Sequence, residues 1–558
     1  MSLFAKNPYD HDRVAEGTPL VNVQVDGEWV QVPKGLNVIE AVKRLGKFIP
    51  HYCYHPKLAV VGNCRMCLFE MGMPKLDGDR KPVLDAEGKP EIGWMPRPQI
   101  ACATQVVEGM GIRTDSALVK ECRRGVMEFL LINHPLDCPI CDQAGECKLQ
   151  EFSFEYGQGK SRFVDEKVKK PKRVDIGERI VLDDERCILC SRCIRFAQDF
   201  CKEDVLGFTQ RGSYTTLGIY PGKRFDSGYS LNAVDICPVG ALTSKDFRFK
   251  MRVWFLKETP SICTGCATGC NITVGSREGR VYRLTPRVNE AVNSHWMCDA
   301  GRLGFHYIHR EDRLVRPMVR MGDGCFLGAW EDVLRQVGQR LSRYGKGEVA
   351  VVGSARGTLE ELYLLRRLAR KVGVEDGLLD VVPRHGQGDG ILRSADLNPN
   401  TRGARLLGFG GDGRRLGLIR DRVAAGEVRV LYVFHEDVVK AGIGVEVLER
   451  LELLIVQDIL PSETTRLASY ILPGASFAEK RGTMINEGRR LQRLNCAIRP
   501  PGEAREDWKI LSDVLKELGE DVGCQDVEEV FKMMGAELEV LRGMTHGKIG
   551  FEGVELDV

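Results

Sequence analysis

The sequence predicts a multidomain protein that joins small α+β domains to an α/β region. Its 558 residues are too many for one hydrophobic core, so several domains are expected. The cysteines divide the chain, because all but three of the 20 lie before residue 299. Later apolar runs such as 348–352 and 428–434 are followed by turn and helix signals, which is typical of buried strands in a doubly wound sheet. We therefore expect cysteine-rich domains first and one larger α/β domain after them.

Charge and hydropathy bear on the cellular location of the chain and on its classes of partner. A net charge of +2 gives no reason to expect a nucleic-acid partner, and the Pro-containing basic run 167–173 is interpreted as a solvated linker. The first residues lack the apolar core of a signal peptide, and no apolar run is long enough to span a bilayer. We therefore expect a cytosolic chain in which most cysteines are metal ligands and not disulfide partners.

The first candidate ligand group has gaps of ten, two and thirty-four residues and consists of Cys53, Cys64, Cys67 and Cys102. A predicted hairpin turning at Asp26-Gly27 and a predicted helix between Asn37 and Gly46 precede it. This order resembles plant-type ferredoxins with a [2Fe–2S] cluster, although the first gap is longer. Gly62 and Asn63 are small enough to let backbone amides approach the cluster sulfurs. A structural zinc site is the alternative.

The second group mixes one imidazole with three thiols: His134, Cys138, Cys141 and Cys147. A predicted helix leads into it, with an apolar stripe at Val119, Cys122, Val126, Phe129 and Leu130. Cys122 lies on that stripe and is interpreted as a buried packing residue. On spacing alone zinc remains an alternative, because three cysteines and one histidine also form zinc sites. The neighbouring groups favour an iron–sulfur cluster.

The third group contains the C-x₂-C-x₂-C run of bacterial ferredoxins and a distant Cys-Pro: Cys187, Cys190, Cys193 and Cys237. Two-cluster ferredoxins have four further ligands, and the corresponding positions here are Ala197, Ser227, Ser230 and Ala233. One cluster has therefore lost all the ligands that this comparison locates, while the other keeps its four. This selective loss indicates a degenerate bacterial-ferredoxin domain with one [4Fe–4S] cluster, and zinc does not explain it. Cys201 belongs to neither set and is interpreted as a structural thiol.

The fourth group has gaps of two, three and twenty-seven residues and consists of Cys263, Cys266, Cys270 and Cys298. Its last member is followed by Asp299–Leu303, which includes a Gly-Arg pair. This pattern resembles the N-terminal [4Fe–4S] domain of molybdopterin oxidoreductases.

The four groups in this order closely resemble the large iron–sulfur subunit of NADH:quinone oxidoreductase, respiratory complex I, over residues 18–310. The resemblance implies that all sixteen residues are cluster ligands, with His134 as an unusual imidazole ligand, and that the cofactors are one [2Fe–2S] and three [4Fe–4S] clusters. It also implies an electron-transfer subunit of a proton-translocating enzyme, without a substrate site of its own. Electrons would arrive from a flavin subunit at the first group, cross the third, and leave through His134 toward quinone.

The same resemblance implies the partners and the location. The partners are a flavin-containing NADH-oxidising subunit, a thioredoxin-like [2Fe–2S] subunit, and ferredoxin-like and quinone-site subunits. The chain would lie on the cytoplasmic side, peripheral to the cell membrane and not inserted in it. The alternative function is the electron-input subunit of an NAD-dependent formate dehydrogenase or a hydrogenase.

Five domains are expected. They are a β-grasp, plant-type [2Fe–2S] ferredoxin-like domain (1–110), a His-Cys₃ [4Fe–4S] domain (111–152), a degenerate bacterial-ferredoxin-like domain (153–255), a molybdopterin-oxidoreductase-type [4Fe–4S] domain (256–312) and a shortened molybdopterin-oxidoreductase-like α/β domain (313–558). No molybdenum is expected in the last, because its thiols are scattered at Cys325, Cys496 and Cys524. The G-x-G-x-x-G match at 408–413 follows no buried strand and is interpreted as a glycine-rich surface loop without NAD.

Overall fold

The computed structural model describes residues 9–322 and 324–557. The chain divides between residues 254 and 255 into two compact units, the N-terminal unit and the C-terminal unit. No helix in the described residues is both long and apolar enough to cross a membrane.

The N-terminal unit begins with a six-stranded sheet and one helix, which include the predicted hairpin and the predicted helix. Its strands are Leu20–Val25, Glu28–Pro33, Leu68–Pro74, Ile92–Trp94, Gln99–Ile100 and Gly111–Arg113. The first two strands pair as a hairpin, and the positive φ angles of Asp26 and Gly27 form its tight turn. The helix Val38–Arg44 begins at Asn37, whose side chain accepts a hydrogen bond from the backbone N–H of Glu40.

The helix Ala117–Leu131 confirms the helix predicted before the second group, but its buried face differs from the prediction. Val119, Arg123 and Met127 are buried, whereas Cys122 is only half-buried and Phe129 is exposed. Arg123 is buried because its guanidinium lies 5.3 Å from the Tyr156 ring centroid and donates a hydrogen bond to the carbonyl of Leu68. The interpretation of Cys122 as a buried packing residue was therefore wrong.

The basic run 167–173 lies among residues without helix or long strand, but all four of its lysines have a hydrogen-bond or ion-pair partner. Lys167 Nζ donates to the carbonyls of Leu131 and Ile132 at 2.8 and 2.7 Å, at the carboxyl end of the helix before His134. Lys172 Nζ lies 3.2 Å from an Asp137 carboxylate oxygen. The run therefore lies against the second group and is not a freely solvated linker.

The rest of the N-terminal unit consists of short elements that carry the second and third groups. The helices and 3₁₀ turns are Cys138–Ile140, Lys148–Tyr156, Asp184–Arg186, Arg192–Arg195, Gly212–Tyr214 and Asn232–Asp235, with a π-helical segment at Phe196–Phe200. The strands are Val174–Asp175, Ile180–Leu182 and Leu242–Ser244 in one sheet, and Leu206–Thr209 with Thr216–Ile219 in a hairpin.

The C-terminal unit is built on a seven-stranded sheet with helices, and two antiparallel three-stranded sheets accompany it. In spatial order the large sheet contains Gly324–Leu327, Met318–Met321, Tyr470–Pro473, Leu453–Asp458, Val430–Phe434, Val349–Gly353 and Leu379–Val381. Its last five strands are parallel, and the two strands predicted from sequence are adjacent in it. The small sheets contain Lys257–Ile262, Asn271–Arg277 and Arg280–Pro286, and Gly482–Ile485, Arg490–Leu494 and Val554–Glu555.

The helices of this unit, with their 3₁₀ turns, are Asp299–Leu303, His306–His309, Trp330–Leu341, Leu359–Lys371, Asp376–Leu378, Thr401–Leu406, Arg414–Ala424, Val445–Leu448, Glu463–Leu467, Asp507–Glu517, Val527–Glu537, Glu539–Leu541 and His546–Ile549. Two hydrophobic clusters divide the buried side chains of the parallel strands between them, as expected for a doubly wound sheet. Val351 and Tyr432 belong to one cluster, Val352 and Val433 to the other.

The glycine-rich stretch 408–413 follows the helix Thr401–Leu406, so no strand leads into it, as the sequence indicated. The backbone N–H of Gly411 donates to the Asp380 carboxylate at 2.7 Å. A Cβ atom on Gly410 would lie 2.6 Å from the same carboxylate oxygen. The glycines therefore allow this loop to close around an acidic side chain of the neighbouring strand.

Candidate metal centres

The structure brings the four cysteines of the first group together as two pairs. Cys53 and Cys64 lie in the loop after the first helix, Cys67 directly precedes the strand Leu68–Pro74, and Cys102 follows the strand Gln99–Ile100. The Cys53 and Cys64 thiols hydrogen-bond each other, as do those of Cys67 and Cys102, which raises the pKa of Cys53 and Cys102. Two pairs of sulfurs suit a two-iron cluster, in which each iron takes two protein ligands.

The backbone amides around Cys64 belong to residues on both sides of it. Hydrogen bonds from the amides of Tyr52, Cys53 and Met66 help hold the pKa of Cys64 below its ordinary value. Amides aimed at a sulfur also stabilise a thiolate ligand. The side-chain amide of Asn63, next to Cys64, donates to the carbonyl of Leu189 at 3.1 Å.

The second group surrounds a turn between two helices. Cys138 begins the 3₁₀ turn Cys138–Ile140, Cys147 precedes the helix Lys148–Tyr156, and both line a cavity of about 1050 Å³ together with His134. Burial and the nearby Arg186 lower the pKa of His134 to about 4, so its ring is neutral at pH 7. Its buried Nδ1 has no hydrogen-bond partner in the structure. A neutral imidazole with an unpaired nitrogen suits a metal ligand.

The segment that carries the first three cysteines of the third group forms a tight loop. Leu189 and Ser191 have φ angles of 55° and 59°, which is unusual for residues other than glycine. The backbone N–H of Leu189 approaches the Cys187 sulfur at 3.4 Å. Burial and the neighbouring thiols raise the pKa of Cys193 well above its ordinary value. Thiolates buried this close together would repel one another. A cation is therefore required to hold these side chains in the ionised form.

Three of the four positions of the missing ferredoxin ligands lie in packed protein. Ala197, Ser230 and Ala233 are fully buried, whereas Ser227 is half-buried. The Phe200 ring stacks on Phe196, with centroids 5.1 Å apart, and meets Tyr229 edge-on at 5.3 Å. Aromatic side chains therefore occupy the neighbourhood of these positions, which agrees with a cluster that was lost.

The fourth group lies at one end of the sheet that opens the C-terminal unit. Cys263 and Cys270 flank a turn between two strands, and the N–H of Cys263 donates to the carbonyl of Cys270 at 2.8 Å. Cys298 precedes the helix Asp299–Leu303, and the N–H of Gly301 approaches its sulfur at 3.3 Å. A Cβ atom on Gly301 would lie 2.9 Å from the Cys263 sulfur, so the glycine of the Gly-Arg pair keeps space for the ligands.

The spacing of the ligand atoms tests the zinc alternative. Tetrahedral zinc with Zn–S bonds of about 2.3 Å places its sulfurs about 3.8 Å apart. Among residues 9–322 and 324–557, no three of these sixteen ligand atoms lie within 4.8 Å of one another. The groups are therefore more open than a single zinc ion requires, and they suit larger polynuclear clusters.

Side chains and backbone next to the third group contact both other groups of the N-terminal unit. Asp199 accepts a hydrogen bond from the N–H of Ala59, in the loop of the first group, at 3.2 Å. On the other side, Arg186 Nη2 donates to Asp137, which precedes Cys138, at 2.8 Å. A Cβ atom on Gly240, three residues after Cys237, would lie 2.5 Å from the Cys141 sulfur. The third group thus lies against the surroundings of both the first and the second.

Five family models match the chain in consecutive segments. They are described as a 2Fe-2S iron-sulfur cluster binding domain (18–117), an NADH-ubiquinone oxidoreductase-G iron-sulfur binding region (123–162), an NADH-quinone oxidoreductase subunit 3 ferredoxin-like domain (177–243), an NADH-ubiquinone oxidoreductase NDSU1/NuoG-like 4Fe-4S domain (256–306) and molybdopterin oxidoreductase (313–390 and 393–517).

Curated relatives agree with these matches. The NADH-quinone oxidoreductase G subunit of Rickettsia conorii is 40% identical over 354 residues, which are 63% of this chain and 49% of that protein. The mitochondrial NADH dehydrogenase [ubiquinone] iron-sulfur protein 1 of Solanum tuberosum is 39% identical over 379 residues, covering 68% of this chain and 47% of that protein. The chain thus spans about half the length of the curated relatives that it matches.

Solved structures give weaker likenesses. An NAD⁺-reducing [NiFe]-hydrogenase matches with a TM-score of 0.34 and 26% identity, over 42% of this chain and 91% of that one. Acetylene hydratase from Pelobacter acetylenicus matches with a TM-score of 0.39 and 10% identity, over 54% of this chain and 74% of that one.

Fold, ligand groups and family models together define an iron–sulfur protein that combines [2Fe–2S] and [4Fe–4S] binding domains with a molybdopterin-oxidoreductase-like region. More particularly, the chain is similar over about two thirds of its length to the NADH-quinone oxidoreductase G subunit and to the mitochondrial NADH dehydrogenase [ubiquinone] iron-sulfur protein 1, and its residues 123–162 match the NADH-ubiquinone oxidoreductase-G iron-sulfur binding region.

Proposed function

We propose that the chain is an electron-transfer subunit of an NADH:quinone oxidoreductase, the proton-translocating respiratory complex I. Its cofactors would be one [2Fe–2S] cluster at the first group and a [4Fe–4S] cluster at each of the other three, with the sixteen named residues as ligands. Such clusters accept and release single electrons, while the protein sets their position, burial and hydrogen bonding. The chain then needs no substrate site of its own.

The observation that carries this proposal is the contact of the third group with both other groups in the N-terminal unit. Ala59 N–H to Asp199 ties it to the first, and Arg186 to Asp137 ties it to the second. A row of first, third and second groups supports the direction implied by the family resemblance. Electrons would enter from a flavin subunit at the first group and leave at the second.

The surroundings of the second group suit an exit point. Cys138 is exposed, and nearby side chains are apolar and mostly in solvent: Phe129 (78% exposed), Leu136 (79%) and Phe154 (96%). Exposed aromatic and aliphatic side chains grouped in this way are typical of protein–protein interfaces. We assign this surface to the ferredoxin-like partner that receives the electrons on the way to the quinone-site subunit.

The remaining partners follow from the same assignment. A flavin-containing NADH-oxidising subunit and its thioredoxin-like [2Fe–2S] companion would supply electrons to the first group. The chain would lie on the cytoplasmic side, peripheral to the membrane. The C-terminal unit would be a scaffold without molybdenum, and its fourth group would lie off the main path.

Metal analysis tests the proposal. Purified anaerobically, the full chain is expected to contain close to 14 iron atoms with matching acid-labile sulfide, because one [2Fe–2S] and three [4Fe–4S] clusters together hold that number. Zinc in place of iron would refute the assignment. Stoichiometric molybdenum with pterin would instead favour the formate dehydrogenase alternative.

A second test addresses the exit surface. Phe154→Asp is expected to weaken association with the ferredoxin-like partner roughly tenfold, because an exposed aromatic anchor is replaced by a charge. Iron content should stay unchanged. Tyr214→Asp is the matched control, since Tyr214 is an exposed aromatic residue (65%) that does not line this cavity. The affinity for the ferredoxin-like partner is measured on the assembled complex. An equal fall in this affinity in both variants would contradict the assignment of the surface.

A further inference from the structure

Two arginines flank Cys193 on the short helix of the third group. Arg192 and Arg195 are three residues apart on the helix Arg192–Arg195, so they lie on the same face. Arg195 is only 8% exposed, and Arg192 is half-buried. Arginine is rarely buried unless its guanidinium has partners, so their contacts decide their role.

The Arg195 guanidinium joins a ligand residue of the first group to one of the third. Its Nη2 donates to the carbonyl of Cys53 at 2.5 Å and to the carbonyl of Cys190 at 3.2 Å. Its Nη1 donates to the carbonyl of Ala59 in the same loop as Cys53. One nitrogen atom therefore connects the main chains of two candidate ligands that are separated by more than 130 residues of sequence.

Arg192 makes a parallel connection beside it. Its Nη2 donates to the carbonyl of Tyr54, next to Cys53, and its Nη1 donates to the carbonyl of Ile236 at 3.0 Å. Ile236 directly precedes Cys237 of the third group. Both arginines therefore span the same junction.

Neither arginine forms a salt bridge with an acid. Within the described part of the chain, neither guanidinium has a carboxylate oxygen within 4.0 Å, the distance of a salt bridge. Burial lowers the pKa of Arg195, while the sulfurs of Cys190 and Cys53 and the more distant Asp199 carboxylate oppose that shift. A buried cation is costly unless negative charge lies near it. Thiolates in the first and third groups would supply such charge.

We propose that Arg195, supported by Arg192, is a positioning residue that couples the first group to the third and raises the reduction potential of both. This rests on the proposed function. In the proposed transfer, one electron would leave the cofactor held by the first group, which would be oxidised, and reach the cofactor held by the third group, which would be reduced. The guanidinium keeps its protons and its charge throughout. It shortens the bonded route through Cys53 and Cys190, and its positive charge favours the reduced state on both sides.

A purely structural tether would behave differently. Asn63 to Leu189 and Ala59 to Asp199 already hold the two loops together. A tether would not shift potentials according to the charge at residue 195. The test therefore compares Arg195→Met, which removes the charge, with Arg195→Lys, which keeps it but loses the forked geometry.

The experiment is a redox titration of the whole complex, followed by electron paramagnetic resonance at the first and third clusters. Arg195→Met is expected to lower the ratio of reduced to oxidised cluster about tenfold at a fixed potential, which is a shift of 59 mV for one electron. Arg195→Lys should keep both potentials near those of the wild type. Rapid freezing after NADH addition should show slower reduction of the third cluster in both variants.

The matched control is Arg252→Met. Arg252 Nη1 donates to the carbonyl of Cys141 at 2.5 Å, so it contacts a candidate ligand of the second group. This variant should leave the first and third potentials unchanged. Arg195→Met could abolish the signal of the third cluster altogether. In that case Arg192→Met and Arg195→Lys test the inference. Arg192→Met should lower the potentials of the first and third clusters, and Arg195→Lys should not.

Unchanged potentials in Arg195→Met, or an equal shift in Arg195→Lys, would overturn the inference. Failure of the proposed function would be seen separately, as wild-type protein without iron or a complex that NADH does not reduce. Fully loaded variants that NADH reduces, but whose potentials do not move, would refute only the role of Arg195.

Discussion

Replacing His134 with alanine is expected to remove the cluster of the second group and to stop electron exit. The imidazole is the only candidate ligand contributed before the turn that carries Cys138, and its Nδ1 has no other partner. Loss of residues that merely support metal ligands costs about 10–100-fold in metal affinity or activity, so loss of a ligand should cost more. Quinone reduction by the complex should fall by at least that factor, while the first, third and fourth clusters stay reducible.

The matched control for this variant is His51→Ala. His51 is also a half-buried histidine of the N-terminal unit whose pKa is lowered to about 4, chiefly by burial, but its Nδ1 donates to the carbonyl of Ile49 at 2.8 Å and it belongs to no ligand group. Its loss should leave the second cluster intact. Iron content and the resonance signals of each cluster measure both variants. Four unchanged signals in His134→Ala would remove His134 from the ligand set.

His134→Cys sharpens the same prediction. A thiolate adds one negative charge to the cluster, which should disfavour its reduced state relative to the neutral imidazole. The cluster should therefore form, but with a lower potential than in the wild type. A potential that rises would contradict the ligand assignment even if the cluster is retained.

Candidate ligand groups could be proposed from the sequence because most of their members are close neighbours in the chain. Cys187, Cys190 and Cys193 fall within seven residues, and the surrounding loop has few ways to arrange them. The lost ligand positions could be predicted for the same reason, since two-cluster ferredoxins repeat a fixed spacing. The hairpin at Asp26-Gly27 and the cap at Asn37 are also decided locally, by turn geometry and by one side-chain hydrogen bond.

The contacts between groups could not be predicted in this way. Arg195 meets Cys53 across 142 positions of sequence, and nothing near Arg195 distinguishes it from a solvated arginine. The burial of Arg123 was missed because hydrophobic periodicity assigns charged side chains to solvent. In the structure its guanidinium lies over the Tyr156 ring and donates a hydrogen bond to a backbone carbonyl. Whether a charged side chain is buried depends on its partners in the tertiary structure. These partners cannot be identified from a single sequence.

The C-terminal unit contains the largest expected stability effect. Lys480 donates to Glu361 at 2.9 Å and to Asp507 at 3.1 Å, and all three side chains are buried. These residues come from separate parts of the chain and meet beside the parallel sheet, where Gln457 also donates to Asp507 at 2.8 Å. Lys480→Met should destabilise the unit by about 3–5 kcal/mol, because it removes the buried cation between Glu361 and Asp507. Asp507 keeps a second partner, since His435 Nε2 lies 2.7 Å from its carboxylate.

The loss of stability in Lys480→Met should depend on pH in a defined direction. Burial raises the pKa of Glu361 to about 7 even with Lys480 present, and removing the lysine should raise it further. A carboxyl group whose pKa is higher in the folded state stabilises below its unfolded pKa and loses that contribution as pH rises through the folded one. The destabilisation by Lys480→Met should therefore be largest above pH 8 and smaller near pH 5, where Glu361 holds a proton.

Native-state hydrogen exchange at the strands Val430–Phe434 and Leu453–Asp458 measures this effect without assuming that the whole chain unfolds in one step. Lys509→Met is the matched control, because Lys509 is an exposed lysine on the helix that begins at Asp507 and should change stability by less than about 0.5 kcal/mol. Equal protection in the two variants, or a loss that grows toward low pH, would show that Lys480 does not neutralise this buried acidic pair. Protection lost only in Lys480→Met and only toward high pH would establish that the Lys480 ammonium stabilises the buried carboxylates of Glu361 and Asp507.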